Sequence, residues 1–356
     1  MEKYYRAALS MIPDLGPARM REILKVFPNS EAAWHGDLRE VSALPTKILL
    51  EAVAIKKKVD PKALPDKFAK AGIRVVIIED DEYPSLLKQI HLPPMLLYVK
   101  GSLEDISPAI AVVGARKCTS YGKNVAEKIS EELSHAGVMI LSGGARGIDT
   151  CAHRGALKAG KTVAILGSGV DIVYPPENRA LFAQIAENGA LVSEYPPGLP
   201  PVAGNFPARN RLLSGMSKGV LVIEAAEKSG SLITAHLALE QNREVFAIPG
   251  SILSETSSGT NRLIQQGAKL IMSGTDILEE FEIIRPKVKI EDKKEFTESE
   301  KLILSILKAD EPMLLEMICQ LSGLEWGEVS LILVELEIKG YAKSEGLHGY
   351  VRMVSL

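Results

Sequence analysis

Between Ile73 and Phe281 the chain alternates short, almost purely apolar runs with longer stretches in which apolar residues recur every three or four positions. That alternation marks strands followed by helices. Strands are predicted over 74–78, 110–113, 138–141, 162–166, 191–192, 220–223, 245–248 and 270–272. Most are continuous Val, Ile, Leu and Ala, as in strands buried on both faces, so the sheet should be largely parallel and doubly wound, with helices on each side. Pieces before Ile110 would add an edge to it. Further upstream, Leu9, Ile12, Leu15, Met20, Ile23, Leu24 and Phe27 fall at helical spacing around Ile12-Pro-Asp-Leu-Gly16. A second helix-turn signal lies at Ser42-Ala-Leu-Pro-Thr46. Downstream, residues 285–296 form a charged stretch with Pro286 that reads as a linker. Thr297-Glu-Ser-Glu300 is a capping box, helical patterns follow near 314–321 and 329–338, and two strands flank Gly346 to Gly349. Three helices and a hairpin make a small winged helix.

The division is therefore a small helical domain over 1–68, an extended Rossmann-like α/β domain over 69–284, the linker, and a winged helix over 297–356. At 356 residues the chain is long enough for two or three cores. Cys118, Cys151 and Cys319 have neither metal-ligand spacing nor an even count, which points to a reducing compartment. No basic-then-apolar leader is visible, and no run reaches the roughly 18 apolar residues of a membrane span. A cytoplasmic location without membrane insertion is expected. The net charge of −3 would argue against a nucleic-acid partner, but it averages unlike segments. Residues 1–70 carry 13 basic against 9 acidic side chains, residues 71–296 carry 24 against 26, and residues 297–356 carry 5 against 10. A polyanion would have to be held by locally gathered Arg and Lys.

Glycine-rich turns recur after the predicted strands: Gly114-Ala-Arg-Lys-Cys-Thr-Ser-Tyr-Gly122, Ser142-Gly-Gly-Ala-Arg-Gly-Ile-Asp149, Gly167-Ser-Gly-Val-Asp171, Ser229-Gly-Ser231 and Pro249-Gly250. In an open parallel sheet these turns share one edge, where ligands bind. Backbone amides and helix N-termini there suit phosphate. Gly167-Ser-Gly169 lacks the third glycine of a dinucleotide fingerprint, and the Walker lysine, G-x-S-x-G and H-E-x-x-H motifs are missing. No catalytic residue, metal or cofactor is therefore expected. Arg116, Arg146, Arg179, Arg209 and Arg211 fall in or just after these turns, with Lys117 and Lys123 nearby. Five forked cations along one edge suit a phosphate chain better than a mononucleotide. Tyr174 and Phe206 sit beside the same turns as candidate platforms for unpaired bases. Ordinary packing is the alternative for each ring. Asp149, His153, Glu224, Ser229, Gly230 and Ser231 read as residues that organise the loops, with His153 able to pair with Asp149 or to hydrogen-bond elsewhere.

Two resemblances follow. The paired turns near Asp14 and Ser42 look like the helix-hairpin-helix family, although Asp14 stands where that family prefers a small residue and would repel phosphate. More extensively, the glycine turns above resemble those of the DNA-processing protein A family, also called DprA or Smf. The resemblance also takes in Tyr174-Pro175, Ser193-Glu-Tyr-Pro196, Phe206-Pro-Ala-Arg-Asn-Arg211, Glu224-Ala225, Ala247-Ile-Pro-Gly250 and Ser258-Gly-Thr-Asn261. It implies a non-catalytic protein that binds and protects single-stranded DNA, loads the RecA recombinase during natural transformation, and forms a homodimer through the Rossmann-like domain. Carried over, it implies phosphate contact by Arg116 and amides offered by the turns holding Gly143, Gly144, Gly147, Gly167 and Gly169; Lys117 and Ser142, in the same turns, are counted as phosphate candidates beside them. Asn178 and Arg179 would line the groove beside Arg146, while Arg209 and Arg211 would either join it or brace the loop. Ala115 stands where the family commonly has serine, and Pro176 where some members have a basic residue. The rival reading is a nucleotide-processing enzyme of the lysine-decarboxylase-like phosphoribohydrolase group, whose Pro-Gly-Gly-x-Gly-Thr motif Pro249-Gly-Ser-Ile approaches without the second glycine. The third helix of the winged helix carries Glu325, Glu328, Glu335 and Glu337 against Lys339 alone, so a protein-contact role is expected of it rather than duplex binding.

Overall fold

The computed structural model describes residues 1–103, 106–283, 296–309, 311–346 and 349–353. The expected linker lies outside them except for Phe296, as do Leu347 and His348 of the expected hairpin turn. Five helices come first: α1 (Glu2–Ser10), α2 (Pro17–Val26), α3 (Ser30–His35), α4 (Thr46–Lys58) and α5 (Leu64–Lys70). Their buried side chains, among them Tyr5, Leu9, Ile23 and Phe68, continue without a break into one face of the sheet through Tyr98, Leu166 and Phe182. The charged Arg6 is buried inside this junction, where it bonds Ser30, Glu2 and Glu79.

The strands are β1 (Arg74–Ile77), β2 (Leu96–Gly101), β3 (Ala109–Val113), β4 (Met139–Ser142), β5 (Thr162–Ile165), β6 (Ala190–Ser193), β7 (Gly219–Val222), β8 (Glu244–Ala247) and β9 (Lys269–Leu270). Between and after them come α6 (Ser85–Lys88), α7 (Ser120–His135), α8 (Ile148–Ala159), α9 (Arg179–Asn188), α10 (Asn205–Gly215), α11 (Gly230–Glu240), α12 (Glu255–Gln265) and α13 (Gly274–Glu280). One nine-stranded sheet results, in the order β1-β2-β6-β5-β4-β3-β7-β8-β9. From β6 to β9 every pairing is parallel, and only β1–β2 and β2–β6 are antiparallel. The strands β3 to β7 are buried along their whole length, as their unalternating apolar sequence requires.

Two differences from the sequence reading have local causes. No strand was expected at 96–101, because Pro93-Pro94 and the flanking turn residues hide a short apolar run; β2 there supplies the expected extra edge together with β1. The last strand sits at 269–270, ahead of the expected 270–272, because only Lys269 and Leu270 pair with Phe246 and Ala247 of β8 before Ser273 opens the next helix with its capping box.

From β3 the chain winds outward through β4, β5 and β6, then returns to place β7, β8 and β9 on the other side. The order therefore reverses between β3 and β7, and a crevice opens beyond their carboxyl ends.

The C-terminal unit has its own core, built from Ile303, Met313, Ile318, Val329, Leu333 and Leu336. It comprises α14 (Glu298–Ile306), α15 (Leu315–Ser322), α16 (Trp326–Ile338), and an antiparallel pair of β10 (Ala342–Ser344) and β11 (Tyr350–Arg352). Thr297 and Glu300 form the capping box that their sequence announces. No single helix among the described residues is long and apolar enough to cross a membrane.

Candidate nucleic-acid interface

A cavity of about 640 Å³ opens at the reversal point. Val113 and Gly114 at the end of β3 form one wall and the N-terminus of α11, Ser229 to Ser231, another; Tyr174, Phe206, Arg209 and Asn210 close the remainder. Arg116 stands at its mouth, exposed, with its guanidinium 5.6 Å from the centre of the Phe206 ring. That ring lies 5.7 Å from the ring of Tyr174, tilted by 35°. Cation and two aromatics thus form one continuous strip, which sequence separations of 32 to 90 residues could not have announced. Among the described residues no carboxylate makes an ion pair with Arg116 or Lys117.

The strip is held by turns that tie one another down. The amide of Ala115 donates to the Glu224 carbonyl at 2.8 Å, and the amide of Ile148 donates to the Ala115 carbonyl at 3.2 Å, so the turns after β3, β4 and β7 are laced together. The Glu224 carboxylate, buried behind them, accepts from the Thr119 amide at 2.9 Å and from the Thr119 hydroxyl. It therefore organises the Gly114 turn, while Ser229 caps α11 independently through Ser231. Gly147 adopts φ +76°, and a Cβ there would lie 2.3 Å from the Ala115 carbonyl oxygen, so this crossing admits only glycine. A Cβ on Gly143 would meet Arg209 and Asp149, each at 2.6 Å.

Several residues expected to face a ligand instead face the protein. Arg209 is 4% exposed and donates to the carbonyls of Gly143 (2.9 Å) and Ile165. Burial lowers its pKa to about 10, against the pull of Asp149. Arg211 is bound to Glu194 and to the Leu92 carbonyl, and Arg146 is paired with Glu177 at the surface. Of the two alternatives for Arg209 and Arg211, bracing is the one their contacts favour. Ser142 is buried and donates to the Val112 carbonyl at 2.7 Å. Asn178 is also buried, donating to the Gly144 carbonyl at 3.1 Å and to Thr150 at 2.9 Å. Gly169 gives its amide to the Leu199 carbonyl, and Gly167 leaves the space against which Phe206 lies. Arg179 is exposed at the first turn of α9.

Asp149 accepts from the amides of Ala145 and Gly143, so it takes the place that an anion would have at this turn. Burial pushes its carboxyl up, while Arg209 and those amides pull it down. His153 does not pair with it. The imidazole is fully buried and meets the Thr162 hydroxyl at 2.8 Å, and that hydroxyl donates to the Ile140 carbonyl. The proton in the first contact must then come from Nδ1, leaving Nε2 unprotonated; among the described residues it has no partner. Burial lowers the His153 pKa to about 3, so the ring is neutral.

Residues 74–282 match the family model for DNA recombination-mediator protein A, and residues 292–346 match the DprA winged helix domain. Protein Smf of Synechocystis sp. is 35% identical, with 97% of each chain covered. DNA processing protein DprA of Streptococcus pneumoniae is 42% identical over 74% of this chain and 93% of that protein. The crystal structure of the pneumococcal protein superposes with a TM-score of 0.68 at 38% identity, covering 78% of this chain and 97% of the other. DNA processing protein A of Helicobacter pylori, a structure that concerns a single-stranded DNA binding mode, reaches 0.54 at 32% identity over 58% and 95% of the two chains. With two successive domains matched and a full-length relative above 30% identity, the chain belongs to the DprA/Smf family of DNA recombination-mediator proteins.

Proposed function

We propose that the chain binds single-stranded DNA across the β3/β7 crevice and acts as a recombination mediator that protects the strand and loads the RecA recombinase. The observation that carries this reading is the strip formed by Arg116, Phe206 and Tyr174: a cation that makes no ion pair among the described residues, beside two tilted aromatic rings, at a crevice lined by a helix N-terminus. Aromatic faces hold unpaired bases of any sequence, while forked cations and helix amides take phosphates. Arg116, Lys117 and Arg179, together with the α11 N-terminus at Ser229, Gly230 and Ser231, supply the phosphate contacts. Ser142, Gly143, Gly144, Gly147, Gly167, Gly169, Asn178 and Arg209 shape the groove from behind. The relative from Helicobacter pylori, described for its single-stranded DNA binding mode, supports the same ligand. A homodimer through the Rossmann-like domain finds support at the β9 edge, where Leu270 and Met272 are exposed.

The test is binding of oligo-dT of increasing length by the wild type and by Arg116→Glu, with a nucleoside monophosphate as competitor. Affinity should rise with length, resist the monophosphate, and fall more than about tenfold in the variant, since one phosphate contact is replaced by a repulsion. Length-independent binding with turnover of the monophosphate would establish the nucleotide-processing enzyme instead. Full affinity in Arg116→Glu would remove that residue from the site.

A further inference from the structure

The winged helix carries a surface that the DNA groove does not explain. Helix α16 is apolar on nearly every side: Val329, Ile332, Leu333 and Leu336 enter the core, while Leu331, Val334 and Ile338 face outward at 61%, 47% and 82% exposure. A helix apolar all round belongs in an interior, so the outward row lacks a cover. Glu328 and Glu335 lie on that row, giving acidic and apolar residues at 328, 331, 335 and 338. Neither α15 nor α16 contains a lysine or arginine.

A matching row lies on α4. Positions 47, 50, 54 and 57 repeat the same 3-4-3 spacing as Lys47, Leu50, Ala54 and Lys57, all exposed, with Val53 alongside. Leu50 and Val53 are 68% and 55% exposed, far more than helix packing would leave them. Lys47 pairs with Asp14 at 2.7 Å and feels Glu51 one turn along the helix, while among the described residues Lys57 makes no ion pair. The two rows are complementary in charge and alike in spacing, and the segments that carry them are the most basic and the most acidic of the chain. Both rows are exposed in the single chain, so neither covers the other there. The N-terminal helices sit on the β1–β2 edge, whereas the chain leaves the sheet after β9, at the opposite edge. At eight strand spacings that is about 38 Å away.

We propose that α16 of one copy docks on α4 of the next copy, head to tail, coupling neighbours on one DNA strand. The proposal rests on the single-strand reading above. A heterologous contact of this kind does not close on itself as a two-fold dimer does, so it extends from copy to copy, and cooperative occupation of the strand follows. The apolar rows supply contact area, and the Lys and Glu side chains set register and salt sensitivity.

The full chain tests this with two oligo-dT lengths, one that seats a single copy and one that seats several. Glu328→Lys with Glu335→Lys should lower affinity for the long strand about tenfold, a usual size for coupling between sites, and leave the short strand unaffected. Adding Lys47→Glu and Lys57→Glu, the two cations of that row, should restore it. In an equal mixture of ¹⁵N-labelled and unlabelled chains, a zero-length carbodiimide cross-link should join Glu328 or Glu335 to Lys47 or Lys57 across the isotopes. Cross-links confined within one isotope, no cross-link at these residues, or equal long-strand affinity in the charge-reversed chain would each overturn the docking. Failure of the wild type to bind even the short strand would overturn the single-strand reading instead, and the cross-link would then decide the docking alone.

Discussion

Arg116 and Arg209 are both arginines in glycine-rich turns, and the structure gives them opposite tasks. Arg116 is exposed over Phe206, while Arg209 is buried among carbonyls. If bases stack on the strip, Phe206→Ala should cost about five- to a hundredfold in oligo-dT affinity while leaving the salt dependence unchanged, because stacking releases no counterions. A flattened salt slope in that variant would mean that the ring acts only by positioning Arg116. His153 makes a separate prediction about stability. Its native pKa of about 3 lies below the ordinary 6.5, so between these values the unfolded chain binds the extra proton and stability drops as pH falls. The raised carboxyl of Asp149 acts in the opposite direction, so the comparison is with His153→Asn. Urea unfolding between pH 4 and 6 should show the wild type losing stability faster than the variant, by up to about 1.4 kcal/mol per pH unit. Equal slopes would mean that the imidazole titrates freely.

Among the elements, the turn after β4 depends on a residue 34 positions away. Asn178, at the start of α9, donates to the Gly144 carbonyl and to Thr150, locking the turn to the first coil of α8. Asn178→Ala leaves the buried Gly144 carbonyl and the half-buried Thr150 hydroxyl without their donor and should destabilise the fold by about 1–3 kcal/mol. Hydrogen exchange should rise first at residues 144–150. Exchange that rises evenly across the sheet would show that the bond supports global stability and not this turn. Capping was easier to anticipate than such cross-turn bonds: Thr297 and Glu300 are three residues apart, and their reciprocal bonds form as their spacing dictates. Strand β2 was missed for a related reason, since its identity comes from pairing with β1 and β6 and not from a long apolar signal of its own.

For the whole molecule, charge is divided by segment, and the division predicts the outcome of truncation. The acidic α16 repels phosphates, so a chain lacking residues 297–356 should retain affinity for a short oligo-dT within tenfold of the full chain. A larger loss in a filter-binding or anisotropy titration would place the winged helix on the DNA. On the proposed reading, affinity of both forms should fall steeply with salt, because locally gathered cations and not the net charge of −3 would hold the strand.

Unalternating apolar strands, glycines at their ends and a capping box state local requirements, and local requirements are written in adjacent residues. For that reason the parallel sheet, the glycine-rich turns along its rim and the winged helix could be read before any coordinates. The choice of which rim cation is free could not. Arg146 is neutralised by Glu177, Arg211 by Glu194, and Arg209 by the Gly143 and Ile165 carbonyls. Each partner is brought in from another turn, and the same guanidinium becomes a brace or stays exposed according to what the folded chain sets beside it. Asp149 shows the same physics: its place in the glycine turn was legible, but only packing decided that its carboxylate, and not a phosphate, would take the amides of Gly143 and Ala145.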